Sequence, residues 1–205
     1  MAGLRERWSR DVLHCPYCHG WEVRDQAVGV LASGPMSVHQ AFLFRQLTAD
    51  VTFFSHTMPE PTPEQAEQFA ARGIRVVDGE VAAVQVVDDR LVGLRMRDGR
   101  LIRRDAVVVA TRMVARAGFL ADLGLAPVEH PNGVGEYIPA DPAGRTAVPG
   151  VWVAGNVTDL VAQVGAAAAG GATAAAHLNA DLVAEDTART VAAYRDTRSA
   201  VPAPA

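Results

Sequence analysis

Cys15 and Cys18 are the only cysteines of the chain and stand two residues apart in His14-Cys15-Pro16-Tyr17-Cys18-His19. Two sulfurs at this spacing close a small ring when they sit at a turn or in the first turn of a helix. There the amide groups and the helix dipole lower one thiol's pKa and make it a better nucleophile. That is the geometry of reversible dithiol–disulfide exchange. His19 follows at once, and an imidazole beside a dithiol carries the proton of an attacking or departing thiol near neutral pH. His14 flanks the other side as a second candidate. The same string admits other chemistry, since C-x-x-C-H is the attachment pattern of c-type haem and C-x-x-C with a histidine supplies part of a zinc site. Zinc finds no second cysteine pair and no spaced histidine pair to complete it, so no metal is expected. Haem attachment belongs mostly to exported chains, and no export signal is seen here. An inert buried pair is the remaining alternative.

Two further segments bear on ligands. Ala32-Ser33-Gly34-Pro35-Met36-Ser37 stands where a dinucleotide-binding strand and helix carry G-x-G-x-x-G/A, with only the middle glycine kept. Ala32 adds a methyl at the tight turn and Pro35 deletes an amide donor, so the pyrophosphate cradle is eroded. Ser55-His56-Thr57-Met58-Pro59-Glu60 lacks the arginines that grip a 2′-phosphate. NADPH use is therefore doubtful. The second segment is Gly150-Val151-Trp152-Val153-Ala154-Gly155-Asn156, followed by Gln163-Val164-Gly165-Ala166 and Ala169-Gly170-Gly171. A strand delivering Gly-Asn to the start of a small-residue helix suits close approach by a polar ligand. Tight packing of the strand on the helix explains it equally well.

The elements that must position these residues read as βαβα. Ala27 to Ala32 is a buried strand, followed by a Gly-containing turn and a helix to about Leu47. Val51 to Phe54 is the next strand, and a helix from about Glu64 to Arg72 follows Pro59 to Pro63. Short strands near Arg75 to Val77, Glu80 to Val87, Leu91 to Met96 and Leu101 to Arg103 form a meander, turning at Asp88-Asp89-Arg90 and Asp98-Gly99. Asp105 to Ala110 reads as a buried parallel strand. Thr111 to Arg116 is the expected hinge, with a short helical pattern at Gly118 to Leu123. Val151 to Ala154 is expected as a strand, and a helix from about Gln163 to Leu182 precedes a disordered tail.

The 205 residues suffice for one large or two small domains without disulfide staples. A hydrophobic share of 49%, a charged share of 20% and a mean hydropathy of +0.08 describe a folding chain. A net charge of −4 excludes the basic field that draws proteins to nucleic acid. No apolar run reaches membrane-spanning length, and a cytoplasmic location is expected, where thiols are kept reduced unless they do chemistry.

Taken together, the cysteine segment His14 to Glu22, the strand and helix from Val28 to Ala41, and Val151 to Ala154 with Gly155-Asn156 and the helix from Gln163 to Ala176 resemble the thioredoxin-reductase-like flavoproteins. Among these they look most like the dithiol oxidases that close disulfides in gliotoxin-type and holomycin-type natural products. The resemblance implies an α/β fold: a Rossmann-like, degenerate nicotinamide-type three-layer domain (21–112) behind a redox-motif segment (1–20). The carboxyl half of an FAD-binding domain (113–196) and a tail (197–205) follow. It implies FAD as cofactor, Cys18 as the thiol facing the flavin, Cys15 as the thiol that meets substrate, and His19 as acid/base. The family's A-G-D segment maps onto Ala154-Gly155-Asn156, where Asn156 replaces the usual Asp, and Gln163, Val164 and Ala166 open the helix that faces the flavin's pyrimidine edge. Thioredoxin reductases themselves usually carry an acidic residue where His19 stands and an intact nicotinamide motif. The expected function is oxidation of a small-molecule dithiol with oxygen as acceptor, in a homodimer. The alternatives are an NAD(P)H-driven reductase of a thioredoxin-like substrate, or an inactive fragment needing a partner chain. Family members open with a G-x-G-x-x-G that holds the FAD pyrophosphate, and the cysteines stand ahead of any such pattern here. A fragment, a truncated reading frame or a chain completed by another polypeptide is therefore expected.

Overall fold

The computed structural model describes residues 1–199 and divides into two compact units, Met1–Thr111 and a second that begins at Arg112. In the first unit the chain runs β1 (Val12–Leu13), α1 (Pro16–His19), β2 (Val28–Leu31), α2 (Met36–Phe44), β3 (Val51–Phe54), α3 (Pro63–Ala71) and β4 (Arg75–Val77). It continues through β5 (Val81–Val87), β6 (Arg90–Met96), β7 (Leu101–Ile102) and β8 (Ala106–Val109). Five strands pair in parallel in the order β1-β8-β2-β3-β4. Both central apolar runs, β2 and β8, are buried at every position, as strands covered on both faces must be. Parallel neighbours need crossovers, and α2 and α3 supply them. The capping box that starts α3 explains its sharp boundary: Thr62 Oγ1 accepts from the Gln65 amide while Gln65 Oε1 accepts from the Thr62 amide, and Pro63 follows the cap.

Side chains alternate across each strand, so the sheet divides its apolar residues between two layers. Val28, Val30 and Phe53 pack with Ala41 and Phe44 of α2 and Phe69 of α3. On the other face Leu31, Phe54 and Val107 pack with Val81, Leu94 and Met96 of the antiparallel meander β5-β6-β7. The result is helices, parallel sheet and meander in three layers. Gly29 is required in β2, since a Cβ there would lie 2.9 Å from Phe54 Cε2. The β5–β6 turn places Asp88 and Asp89 at φ 47° and 56°. Asp89 receives the guanidinium of buried Arg7, which also grips Asp11, tying the amino-terminal segment to the meander.

The second unit is leaner. β9 (Val128–Glu129) and β10 (Glu136–Tyr137) form a small antiparallel hairpin, braced by Arg112 on Glu129 and Glu136. Ala117, Leu120, Leu125, Ile138 and Val153 make its core. Gly118 to Leu123 is a 3-10 helix. The expected strand at Val151–Ala154 does not form: only Trp152 makes a bridge, to Arg145, because no neighbouring strand in this unit offers a ladder. Helix α4 (Val164–Ser199) runs well past the expected end at Leu182, since no glycine or proline interrupts the sequence after Gly171 until Pro202. Residues 197–199 of the expected tail belong to α4, and 200–205 lie outside the described residues. Arg145 fixes the helix laterally: its guanidinium lies 4.4 Å from the Trp152 ring centroid and pairs with Asp181 at 2.7 Å. No helix among the described residues is long and apolar enough to cross a membrane.

Candidate functional site

Parallel sheets present ligand-binding loops at the carboxyl ends of their strands. Three segments gather at that end of the first unit: the residues after β1, the loop after β2, and the residues after β8. Cys15 stands one residue beyond β1, after His14, in an extended conformation (φ −102°, ψ 122°) and caps α1, whose single turn carries Cys18 and ends at His19. Pro16 opens that turn because its fixed φ suits the first helical position and its missing N–H has no partner to lose there. Both cysteines are thiols in this structure, Cys15 half-buried and Cys18 exposed. The Cys18 thiol is pushed up to about 11, first by its hydrogen bond with Cys15, then by burial and by the charge on Cys15.

The two histidines differ in what holds them. His14 Nδ1 lies 3.1 Å from Val109 O at the end of β8 and 3.5 Å from the Thr111 amide, so its ring is engaged with the backbone. His19 is half-exposed beside Cys18, with Nδ1 3.6 Å from Glu22 Oε1. Tyr17 and Trp21, one helical turn apart, stand exposed beside the pair, and the Arg24 guanidinium covers the Trp21 ring at 4.4 Å. Among the described residues no three His, Cys, Asp or Glu side chains gather so as to hold a metal ion.

The loop after β2 is closed by its own chain. The Ser33 amide donates to Ser37 Oγ at 3.1 Å, the Ser37 amide donates to Gly34 O at 3.0 Å, and Pro35 has no N–H. Ser33 Oγ donates to Ala110 O at 2.6 Å. The segment after β3 is likewise committed: Ser55 Oγ donates to Asp78 at 2.6 Å, and His56 Nδ1 accepts from the Val81 amide at 3.1 Å. Burial pushes the His56 imidazole down, which suits a neutral acceptor. Within the loop after β2 the Ser33 and Ser37 amides are thus spent internally, and Pro35 offers none.

Gly155, Asn156, Gln163, Val164 and Ala166 lie in the second unit, apart in sequence from the cysteine pair. Gly155 takes φ 77°, which a side chain would strain, and starts a 3-10 turn that exposes Asn156. The hydrogen-bond ladder of α4 starts with Ala167 N donating to Gln163 O at 2.8 Å, so the amides of 164–166 are not used within the helix. Gly165 has nothing within 4 Å of where a Cβ would stand, and Ala166 beside it is exposed. A cradle lined by such small residues, with unspent donors and an exposed amide side chain, fits the ring edge and ribityl chain of a flavin. Gln40, whose Nε2 donates to the His14 carbonyl before the cysteine pair, is not legible from spacing; its only signal in the sequence is a polar residue in an apolar helix.

Residues 4–174 match the family model described as pyridine nucleotide-disulphide oxidoreductase. The chain is 29% identical over 192 residues to thioredoxin reductase tcpT of Claviceps purpurea, covering 90% of this chain and 59% of that relative. The crystal structure of HlmI superposes with a TM-score of 0.85 at 43% identity, over 96% of this chain and 60% of HlmI. An oxidoreductase from Agrobacterium tumefaciens gives 0.80 at 32% identity, over 89% and 60% of the two chains. The chain therefore spans about 60% of the length of the relatives it matches.

Proposed function

This chain belongs to the pyridine nucleotide-disulphide oxidoreductase family, and on that footing we propose that it carries the redox centre of an FAD-dependent dithiol oxidase. The observation that carries the reading is a Cys15–Cys18 pair that shares a hydrogen bond, at the same end of the sheet as a nucleotide loop in which the Ser33 and Ser37 amides are taken by their own chain and Pro35 has none. Electrons would then enter from a thiol substrate rather than from a nicotinamide.

In the oxidised state a substrate thiolate attacks Cys15 of the Cys15–Cys18 disulfide, forming a mixed disulfide and releasing Cys18 as the leaving thiolate. The second substrate thiol attacks the substrate sulfur of that mixed disulfide and displaces Cys15. One S–S bond breaks in the protein and one forms in the substrate, and two electrons reside on the cysteine pair. His19 takes the proton of the attacking thiol, since its ring is half-exposed while the His14 ring is held by Val109. When bound, FAD supplies two-electron acceptance from the dithiol and reoxidation by oxygen. Gly155, Asn156, Gln163 and the first turn of α4 at Val164 and Ala166 would hold it, with the Asn156 amide able to hydrogen-bond where an Asp is usual. The substrate is a small-molecule dithiol, the location cytoplasmic and the assembly a homodimer.

Oxygen uptake with a dithiol, set beside NADPH consumption with a disulfide, tests the reading on FAD-supplemented protein. Dithiol-dependent uptake with peroxide release and no NADPH turnover is expected. NADPH consumption at a comparable rate would make the chain part of a reductase.

A further inference from the structure

On the inner face of α2 the buried residues are Ser37, Gln40, Ala41 and Phe44. Ser37 closes the loop after β2, and Ala41 and Phe44 belong to the core. Gln40 does neither. It is 6% exposed, and its Nε2 donates to the carbonyl oxygen of His14 at 2.8 Å. Its Oε1 is buried with no hydrogen-bond partner among the described residues. A buried carbonyl oxygen without a partner costs stability, and an apolar side chain of the same volume would avoid that cost. The amide is therefore explained by what its nitrogen holds.

What it holds is the peptide that enters the cysteine motif. His14 is fixed at its backbone by Gln40 and at its ring by Val109 O, and Cys15 follows it. At the far end of the motif Gly20 packs so closely on the turn after α2 that a Cβ would stand 2.4 Å from Leu47 Cδ1. The segment carrying both sulfurs is thus pinned at each end, to α2 by a hydrogen bond before Cys15 and to the turn after α2 by contact after His19. Ring closure between two thiols depends on how narrowly their positions are defined before the bond forms.

We propose that Gln40 is a positioning residue for the Cys15–Cys18 pair, holding the His14–Cys15 peptide where the two sulfurs meet. The inference rests on the reading of that pair as redox-active. Loss of the anchor lets the peptide turn, lowers the effective concentration of one thiol at the other, and weakens the disulfide relative to the dithiol.

The experiment uses the full 205-residue chain in glutathione redox buffers. The reaction followed is Cys15-SH + Cys18-SH + oxidised glutathione ⇌ Cys15-S-S-Cys18 + two reduced glutathione. Gln40→Met is expected to lower this equilibrium constant by about threefold to tenfold, the value of one hydrogen bond, while its thermal midpoint falls no lower than that of the parent. Gln40→Asn, which keeps the amide but falls one methylene short, is expected to shift the constant in the same direction and serves if the methionine variant does not fold. Constants equal to the parent's in the folded variants would overturn the positioning role, because a side chain that merely packs has no reason to move the thiol equilibrium. Failure of the parent chain to form an intramolecular disulfide would instead overturn the redox reading, and it shows before any variant is made.

Discussion

Phe44, Phe54, Phe69 and Leu94 of the first unit are all fully buried, whereas in the second unit Phe119 and Val161 are 79% exposed and Val164 is 88% exposed. The first unit has two filled layers about one sheet, and the second has one small cluster of five buried apolar residues, a hairpin of two-residue strands and a helix that leaves most of its length in solvent. The cysteine pair sits on the unit that closes its own core, and Gly155, Asn156 and the start of α4 sit on the unit whose apolar side chains stay more open. In the proposed function, thiol exchange and flavin holding fall on opposite sides of that contrast.

The contrast is most sharply exposed by substitutions on either side of it. Cys15→Ser is expected to abolish the intramolecular disulfide and all dithiol oxidation, with hydrogen exchange of the first unit unchanged; this is read by thiol counting and peptide mass mapping. Phe54→Ala is expected to destabilise the first unit by about 3–5 kcal/mol, the cost of emptying a buried aromatic site. Val164→Ser in the second unit is expected to change stability by less than about 0.5 kcal/mol while weakening FAD binding. Native-state hydrogen exchange resolves the two units separately, and equal costs at the two positions would erase the distinction drawn here.

Acid should act on the first unit through Asp11. Burial pushes that carboxyl up, but the hydrogen bond from Arg7, the Leu91 amide and the charge of Arg7 outweigh it and hold the group below the ordinary carboxylate range. A carboxylate depressed in the folded state adds stability above its unfolded pKa of about 4, and that stability is lost as the pH falls through the folded value. Asp11→Asn is expected to cost about 1–3 kcal/mol at neutral pH, by leaving buried Arg7 short of a partner, and to flatten the acid limb of a urea-midpoint profile.

A smaller effect concerns the cysteines themselves. With Cys18 pushed up to about 11 by its hydrogen bond to Cys15, iodoacetamide near neutral pH should label Cys15 first. Cys15→Ser should let Cys18 titrate closer to an ordinary thiol.

What the sequence reveals follows the same division. The apolar runs at Ala27–Ala32 and Asp105–Ala110 and the prolines from Pro59 to Pro63 announce β2, β8 and α3 because burial on both faces and proline punctuation are local signals. β1 escapes, since Val12 and Leu13 are a strand only by pairing with Val107 and Val108, far along the chain. Val151–Ala154 misleads for the converse reason: it has strand composition but no strand to pair with. The C-x-x-C-H string is legible as a site for chemistry from spacing alone, though the same spacing is shared with haem and zinc sites. The closure of the nucleotide loop by Ser37, the differing tethers of His14 and His19, and the grip of Gln40 on His14 are tertiary contacts that no spacing rule encodes.

The decisive measurement is peptide mass mapping of the chain after oxidation and again after addition of a small dithiol, without flavin or nicotinamide. The account predicts a peptide bearing Cys15 and Cys18 lighter by two hydrogens, restored by the dithiol with stoichiometric formation of its disulfide. Cysteines that form only mixed adducts or cross-links between chains, or a disulfide that the dithiol leaves intact, would contradict it.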